Sequence, residues 1–401
     1  MKMRRIVVVG NGIAGLTACD ALRGAGYDGD LTVVGAEAHH PYSRPALSKA
    51  LLHSGDSDGA LKALVLPAPT HQATEVLGIS AAGLDPAAKV VRLDGGGELP
   101  YDGLVIASGS RAKRLGGGLH NAGLDGGGLP RELTLRTIED AILLRERVAS
   151  RPSVIVIGGG PLGMEVASGC LEAGCDVTLV SDVPPLSRQL GDYLSGMFAT
   201  AAGRRGLRLV KGGRARLSDT AGGTTVVLAD GTRLEAELII TAIGDEPNIE
   251  WLAGSGLLTE GALRVDSRGR VRPDIVAAGD VAFFPGSRGL ARVPLWTSAI
   301  EQAKVAAGGL LHGDAAPELD FQPYFWTEGF GLSLKAVGST PVAGAPGLIE
   351  QGADPESVLL RWENADGSGT AAAVNYRIPV PKLRRLAGAG PALRSPAPAT
   401  L

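Results

Sequence analysis

Two apolar runs, Ile6-Val7-Val8-Val9 and Val154-Ile155-Val156-Ile157, each stop abruptly at a cluster of glycines. Neither run alternates with polar residues, which is how a strand buried on both faces of a parallel sheet reads. After the first run, residues 13–25 read as a helix, and Leu31-Thr32-Val33-Val34 as a second strand ending near Glu37. The second run opens a similar unit from residue 153 to about 182. Val90 to Leu93 reads as one arm of a small sheet, and Tyr101 to Ala107 as a core strand. The pattern predicts a helix over 137–149, with Thr137 as N-cap and Glu139-Asp140 in its first turn. Strands are expected at 207–210, 224–228 and 233–241, and another at Asp274 to Asp280. A helix is expected over 297–311. From Asp320 the aromatics Phe321, Tyr324, Phe325, Trp326 and Phe330 mark a further domain. The Gly-rich stretch 116–128 reads as a mobile surface loop, and the final Pro- and Ala-rich residues as disordered.

The glycine clusters are Gly10-Asn11-Gly12-Ile13-Ala14-Gly15 and Gly158-Gly159-Gly160-Pro161-Leu162-Gly163. Both are G-x-G-x-x-G, the dinucleotide fingerprint of a Rossmann unit. In it the first glycine permits a sharp turn, the second lets backbone approach a pyrophosphate, and the third allows strand and helix to pack closely. The unpaired N–H groups and dipole of the helix start favour phosphate. Glu37 stands about 20 residues beyond the first glycines, where an acid accepts from a ribose 2′-OH. In the second unit the strand ends at Ser181-Asp182. Asp182 favours NADH, whereas Ser181 with Arg188 would accommodate a 2′-phosphate. Two pyrophosphate cradles in one chain point to electron transfer between two cofactors.

At 401 residues the chain can form two or three domains, and 44% hydrophobic with 20% charged residues is ordinary for a globular protein. A net charge of −3 gives no reason to expect nucleic acid or an anionic membrane as partner. The basic start and first apolar run imitate a signal peptide, but Gly10 interrupts the run too early. No apolar stretch reaches the roughly 18 residues of a membrane span. The three cysteines, Cys19, Cys170 and Cys175, form no C-x-x-C pair, so a reducing, cytoplasmic setting is expected. The six histidines have no metal-ligand spacing, and no metal site is expected.

The stretch His40-Pro41-Tyr42-Ser43-Arg44-Pro45-Ala46-Leu47-Ser48-Lys49 resembles the P-Y-x-R-P-P-L-S-K signature of the FAD-dependent ferredoxin reductases of oxygenase systems. That family is related to glutathione reductase and includes putidaredoxin and rubredoxin reductases. Ala107-Ser108-Gly109 resembles its A-T-G, Gly158 to Glu165 its G-G-G-x-x-G-x-E, and Gly244 to Asn248 its G-x-x-P-N. Ala277 to Asp280 is similar to A-A-G-D, Trp296 to Gln302 to W-x-x-A-x-E-Q, and Pro323 to Trp326 to P-Y/W-F-W. The resemblance spans about residues 5–385. Ala46 replaces a proline of the signature, Ser108 replaces its threonine, and Gly329-Phe330-Gly331 departs from the acidic-polar run that follows F-W.

The resemblance implies an α/β fold with two Rossmann-like dinucleotide-binding domains and a C-terminal α+β domain. The boundaries expected are 1–112 with 236–315 for FAD, 113–235 for NAD(P)H, and 316–401 for the C-terminal domain. FAD would be held by Gly10, Gly12, Ile13, Ala14, Gly15, Glu37, Arg44, Pro45, Lys49, Gly279, Asp280 and Trp296, and Ala107, Ser108, Gly109, Arg114 and Gly244 would also bind cofactor. The coenzyme would be held by Gly158, Gly160, Leu162, Gly163 and Asp182, with NADH slightly favoured. Lys49 would act near the flavin ring, and Glu165 would reach the nicotinamide side and pair with Lys49. The plain alternatives are a solvated lysine, an ordinary helical glutamate, a helix N-cap at Asp280 and a core tryptophan at Trp296. Disulfide reductases of this fold carry C-x-x-x-x-C where Arg44 to Lys49 lies, and this chain has no cysteine between Cys19 and Cys170. The implied reaction is hydride transfer from NAD(P)H to FAD, then single electrons to a ferredoxin that serves a P450 or Rieske oxygenase. Arg111, Lys113 and Arg114, or Lys382, Arg384 and Arg385, would face the acidic ferredoxin. An NAD(P)H oxidase or diaphorase, and a redox-sensing flavoprotein resembling apoptosis-inducing factor, are the rival readings.

Overall fold

The computed structural model describes residues 3–49, 64–115, 132–220, 223–286, 289–363 and 369–388. The Gly-rich stretch 116–128 and the C-terminal tail lie outside them. The chain forms two compact units. One comprises Met1–Pro45, Asp58–Arg111 and Asp245–Phe321, the other Ala46–Ser57, Ala112–Gly244 and Gln322–Leu401.

The first unit is built on a six-stranded sheet in the order Arg270–Arg272, Ile275–Ala277, Gly103–Ile106, Arg5–Val9, Asp30–Gly35, Thr74–Leu77. All neighbours are parallel except the first pair. Helices Ile13–Gly24 and Trp296–His312 cover one face, where Val8, Cys19, Leu22, Ala303 and Ala306 pack together. On the other face Val7, Val9 and Ile106 pack with Leu84 and Val91 of a small antiparallel sheet and with Trp251 and Leu252. With apolar layers on both sides, the central strand has no polar face, which explains its unbroken valines.

The second unit holds a five-stranded parallel sheet in the order Arg208–Lys211, Asp176–Ser181, Ser153–Ile157, Leu238–Thr241, Glu132–Leu133. A five-stranded antiparallel sheet from Tyr324–Gly329 to Gly369–Val374 lies in the same unit, with helix Val380–Gly388 packed on it through Leu383 and Ala387. The strand expected over 233–241 is two strands of different sheets. Arg233–Glu235 closes a small antiparallel meander, whereas Leu238–Thr241 pairs with Val154 to Ile157. The boundary expected at 235/236 therefore moves to 244/245, because Leu238, Ile239 and Ile240 are buried in the second sheet. The first unit also runs on to Phe321 rather than 315, where Leu319 N–H donates to Ser267 O at 2.7 Å.

Candidate functional site

In the first unit the chain turns at Gly10 with φ +115°, and a Cβ there would lie 2.0 Å from Ala107 O. A Cβ on Gly15 would lie 1.8 Å from Gly10 O, so helix and turn approach too closely for any side chain. A Cβ on Gly12 would meet nothing within 4 Å, and the helix that begins at Ile13 has no side-chain cap. The Asn11 amide is buried with neither polar atom partnered. Bare N–H groups, open space and an orphaned amide at one strand end fit a dinucleotide pyrophosphate. Gly279, at φ +80°, brings the turn of Asp280 against Ala14, and buried Gln302 accepts its N–H at 2.9 Å.

Around this cradle the motif residues hold one another. Ser108 Oγ donates to Asn248 O at 2.8 Å and Asn248 Nδ2 returns a bond to Ser108 O at 2.9 Å. Gly109, at φ +67°, accepts the Asn248 N–H. The serine that stands where the motif has threonine thus ties this turn to Asn248 through its hydroxyl. Asp280 accepts from Ser110 Oγ at 3.1 Å and sits in a turn, so it is not the N-cap of a helix. Glu37 takes a bond from Tyr42 Oη at 2.6 Å and an ion pair from Arg44, the residue before Pro45 in a short helical turn. Burial opposes the Arg44 charge, but the Glu37 carboxylate more than restores it and raises the guanidinium above its ordinary value. Trp296 is half-buried at the uncapped start of its helix, not in the core. Arg292, which the motifs did not single out, forks Asp245 at 2.5 and 3.0 Å and donates to Asp280 O at 2.9 Å.

The second unit repeats the cradle. Gly158 turns with φ +114°, its Cβ would lie 2.2 Å from Ala242 O, and one on Gly163 would lie 1.9 Å from Gly158 O. Gly160 faces only Gln189 Nε2 at 3.8 Å, and the helix beginning Pro161-Leu162 again lacks a side-chain cap. Thr241 Oγ1 is buried without a partner beside this turn, at the end of its strand. Ser181 Oγ donates inward to Val183 O at 2.7 Å. Asp182 is exposed and pairs with Arg188 at 2.7 Å. Gly244, at φ +106°, accepts from Lys113 N–H at 3.0 Å. Exposed Arg114 donates to Glu132 O at 3.1 Å.

Lys49 and Glu165 meet in the same unit. Lys49 Nζ donates to Glu165 Oε2 at 2.8 Å, with the side chains 19% and 7% exposed. Ser48 Oγ also donates to Oε2, and Thr327 Oγ1 donates to Oε1 at 2.6 Å. A carboxylate this buried needs such partners, and here Oε2 has two and Oε1 has one. Among the described residues no group of three or more His, Cys, Asp or Glu could hold a metal ion. No helix of those residues is long and apolar enough to cross a membrane.

Residues 4–307 match the model of the pyridine nucleotide-disulphide oxidoreductase family. The chain belongs to that family. Rhodocoxin reductase of Rhodococcus erythropolis is 35% identical over 88% of this chain and 82% of its own. The ferredoxin–NAD(+) reductase component of the anthranilate 1,2-dioxygenase system of Burkholderia cepacia is 33% identical over 97% of this chain and 95% of its own. The crystal structure of the covalent putidaredoxin reductase–putidaredoxin complex matches with a TM-score of 0.82 at 26% identity. It covers 96% of this chain and 93% of that one. The α/β reading and the resemblance drawn from the motifs are borne out.

Proposed function

We propose that this family member is a ferredoxin reductase of an oxygenase system. It would pass hydride from a nicotinamide coenzyme to bound FAD and then single electrons to a ferredoxin. What carries the reading is the pair of uncapped glycine cradles, one in each unit, in a chain whose relatives are reductases named for dioxygenase systems. Bound flavin would supply the exchange between two-electron and one-electron chemistry. The chain's own residues bind and orient. Gly10, Gly12, Ile13, Ala14 and Gly15 would take the FAD pyrophosphate, with Glu37, Arg44, Ala107, Asp280 and Trp296 lining the rest of its path. Gly158, Gly160, Leu162 and Gly163 would take the coenzyme pyrophosphate. Lys49, held by Glu165, would place a fixed cation where negative charge develops on reduction.

NADH is the favoured coenzyme on this reading. Asp182 stands just past the strand end with an exposed carboxylate, and it neutralises Arg188, the cation that would otherwise greet a 2′-phosphate. Stopped-flow reduction of the flavin by NADH and by NADPH, followed by cytochrome c reduction with and without added ferredoxin, tests the whole sequence. The expected result is faster reduction by NADH and cytochrome c turnover only with ferredoxin. Rapid oxygen consumption without ferredoxin would instead identify an oxidase.

A further inference from the structure

We infer that Thr327, on the first strand of the C-terminal sheet, is a positioning residue that aims the Glu165 carboxylate at Lys49. Thr327 is 1% exposed, and its Oγ1 donates at 2.6 Å to the one Glu165 oxygen that Ser48 and Lys49 leave open. A carboxylate fixed by one oxygen alone can pivot about its last torsion, whereas donors on both oxygens fix its plane. Thr327 is itself fixed. Three positions along the same helix, Ser168 Oγ accepts the Phe330 N–H at 2.8 Å, and Arg205 clamps Phe330 O. Glu165 and Ser168 lie on one helix face, so the strand is registered against the helix by two contacts. Phe330 is fully buried, with Gly331 at φ +73° beside it. The Gly329-Phe330-Gly331 departure from the reductase pattern therefore forms the anchor that holds Thr327 in place.

The inference rests on the reading that Lys49 and Glu165 act at the reacting cofactors. The test compares T327V, T327S, E165Q and K49M, all as full-length flavin-loaded protein. T327V keeps the shape and removes the donor, so it should slow flavin reduction at saturating NADH about tenfold, the scale of one hydrogen bond to a charged group. Coenzyme affinity should change less than about twofold. T327S should restore the rate. A second readout needs no turnover. Acylation of Lys49, followed by peptide mass spectrometry in the absence of coenzyme, should quicken several-fold in T327V and return to the wild-type rate in T327S. If T327V matches wild type in both measurements while E165Q is slow, Thr327 has no positioning role. If T327S is as impaired as T327V, the effect is one of packing and the inference is overturned. If E165Q and K49M also reduce at the wild-type rate, the reading of the Lys49–Glu165 pair fails and takes this inference with it.

Discussion

Cys19 and Cys170 are fully buried and Cys175 nearly so. Burial, with a lesser push from Asp20, raises the Cys19 thiol to about 12. Burial, then Cys175, does the same to Cys170. Burial also raises Cys175. The thiolate is the reactive form, so at pH 8 roughly one Cys19 or Cys170 thiol in ten thousand is ionised. Ellman's reagent at pH 8 should therefore leave the folded protein unlabelled and its NADH-dependent turnover intact, with three thiols appearing only after denaturation. Fast labelling of one thiol with loss of turnover would reopen a thiol route for the electrons. At this scale the resemblance exposed Lys49 and Glu165 and the pairing of the two, which the structure shows at 2.8 Å. The Ser48 and Thr327 contacts with Glu165 span 117 and 162 residues and belong to no local pattern. Arg292 escaped for a related reason. Its partners are the Asp245 carboxylate, 47 residues away, and the Asp280 backbone carbonyl, 12 residues away, so no local pattern joins them.

The elements that could be read in advance are those whose signals are local. Helix Ile138–Val148 begins as its first residues require. Thr137 Oγ1 accepts from Asp140 N–H at 3.3 Å, and the Asp140 carboxylate returns a bond from Thr137 N–H at 3.1 Å. Replacing Thr137 by alanine should cost about 1 kcal/mol, seen as a lower urea midpoint at unchanged slope, while T137S should keep most of it. An unchanged midpoint in T137A would mean that tertiary packing alone sets this helix start. The glycine turns were legible for the same reason, since a φ above +100° and a backbone contact near 2 Å leave no other residue at Gly10 or Gly158. Residues 233–241 were misread because hydrophobicity says that a strand is buried, not against which neighbour. The run from Leu234 to Ile240 is apolar enough to be one strand, and only pairing shows Arg233–Glu235 with Thr225 to Val227 and Leu238–Thr241 with Val154 to Ile157.

Net charge says least about how a molecule meets its partner, because recognition depends on where the charges lie. The chain carries −3 overall, yet from Tyr376 to Gly388 it has Arg377, Lys382, Arg384 and Arg385 and no acid. All four are exposed, and the inner side of their helix is spent on the sheet through Leu383 and Ala387. Among the described residues none of the four forms an ion pair. The other candidate surface differs. Arg111 is bound to Glu246 at 2.9 Å and Glu250 at 2.7 Å, which leaves two exposed cations there, Lys113 and Arg114, the latter donating to the Glu132 carbonyl. Cations already paired attract an incoming acidic protein weakly, whereas unpaired ones raise its capture rate at low salt. On this ground the C-terminal cluster is the docking surface we propose for the ferredoxin. Reversing Lys382, Arg384 and Arg385 to glutamate should raise the KM for ferredoxin by on the order of tenfold at low ionic strength and flatten its salt dependence. Reduction of ferricyanide by NADH should be unchanged, since these exposed residues lie outside both cradles and their replacement has little effect on stability. If the triple variant keeps the wild-type KM and salt slope while R111E loses them, ferredoxin docks instead through the surface where Arg111 meets its two glutamates.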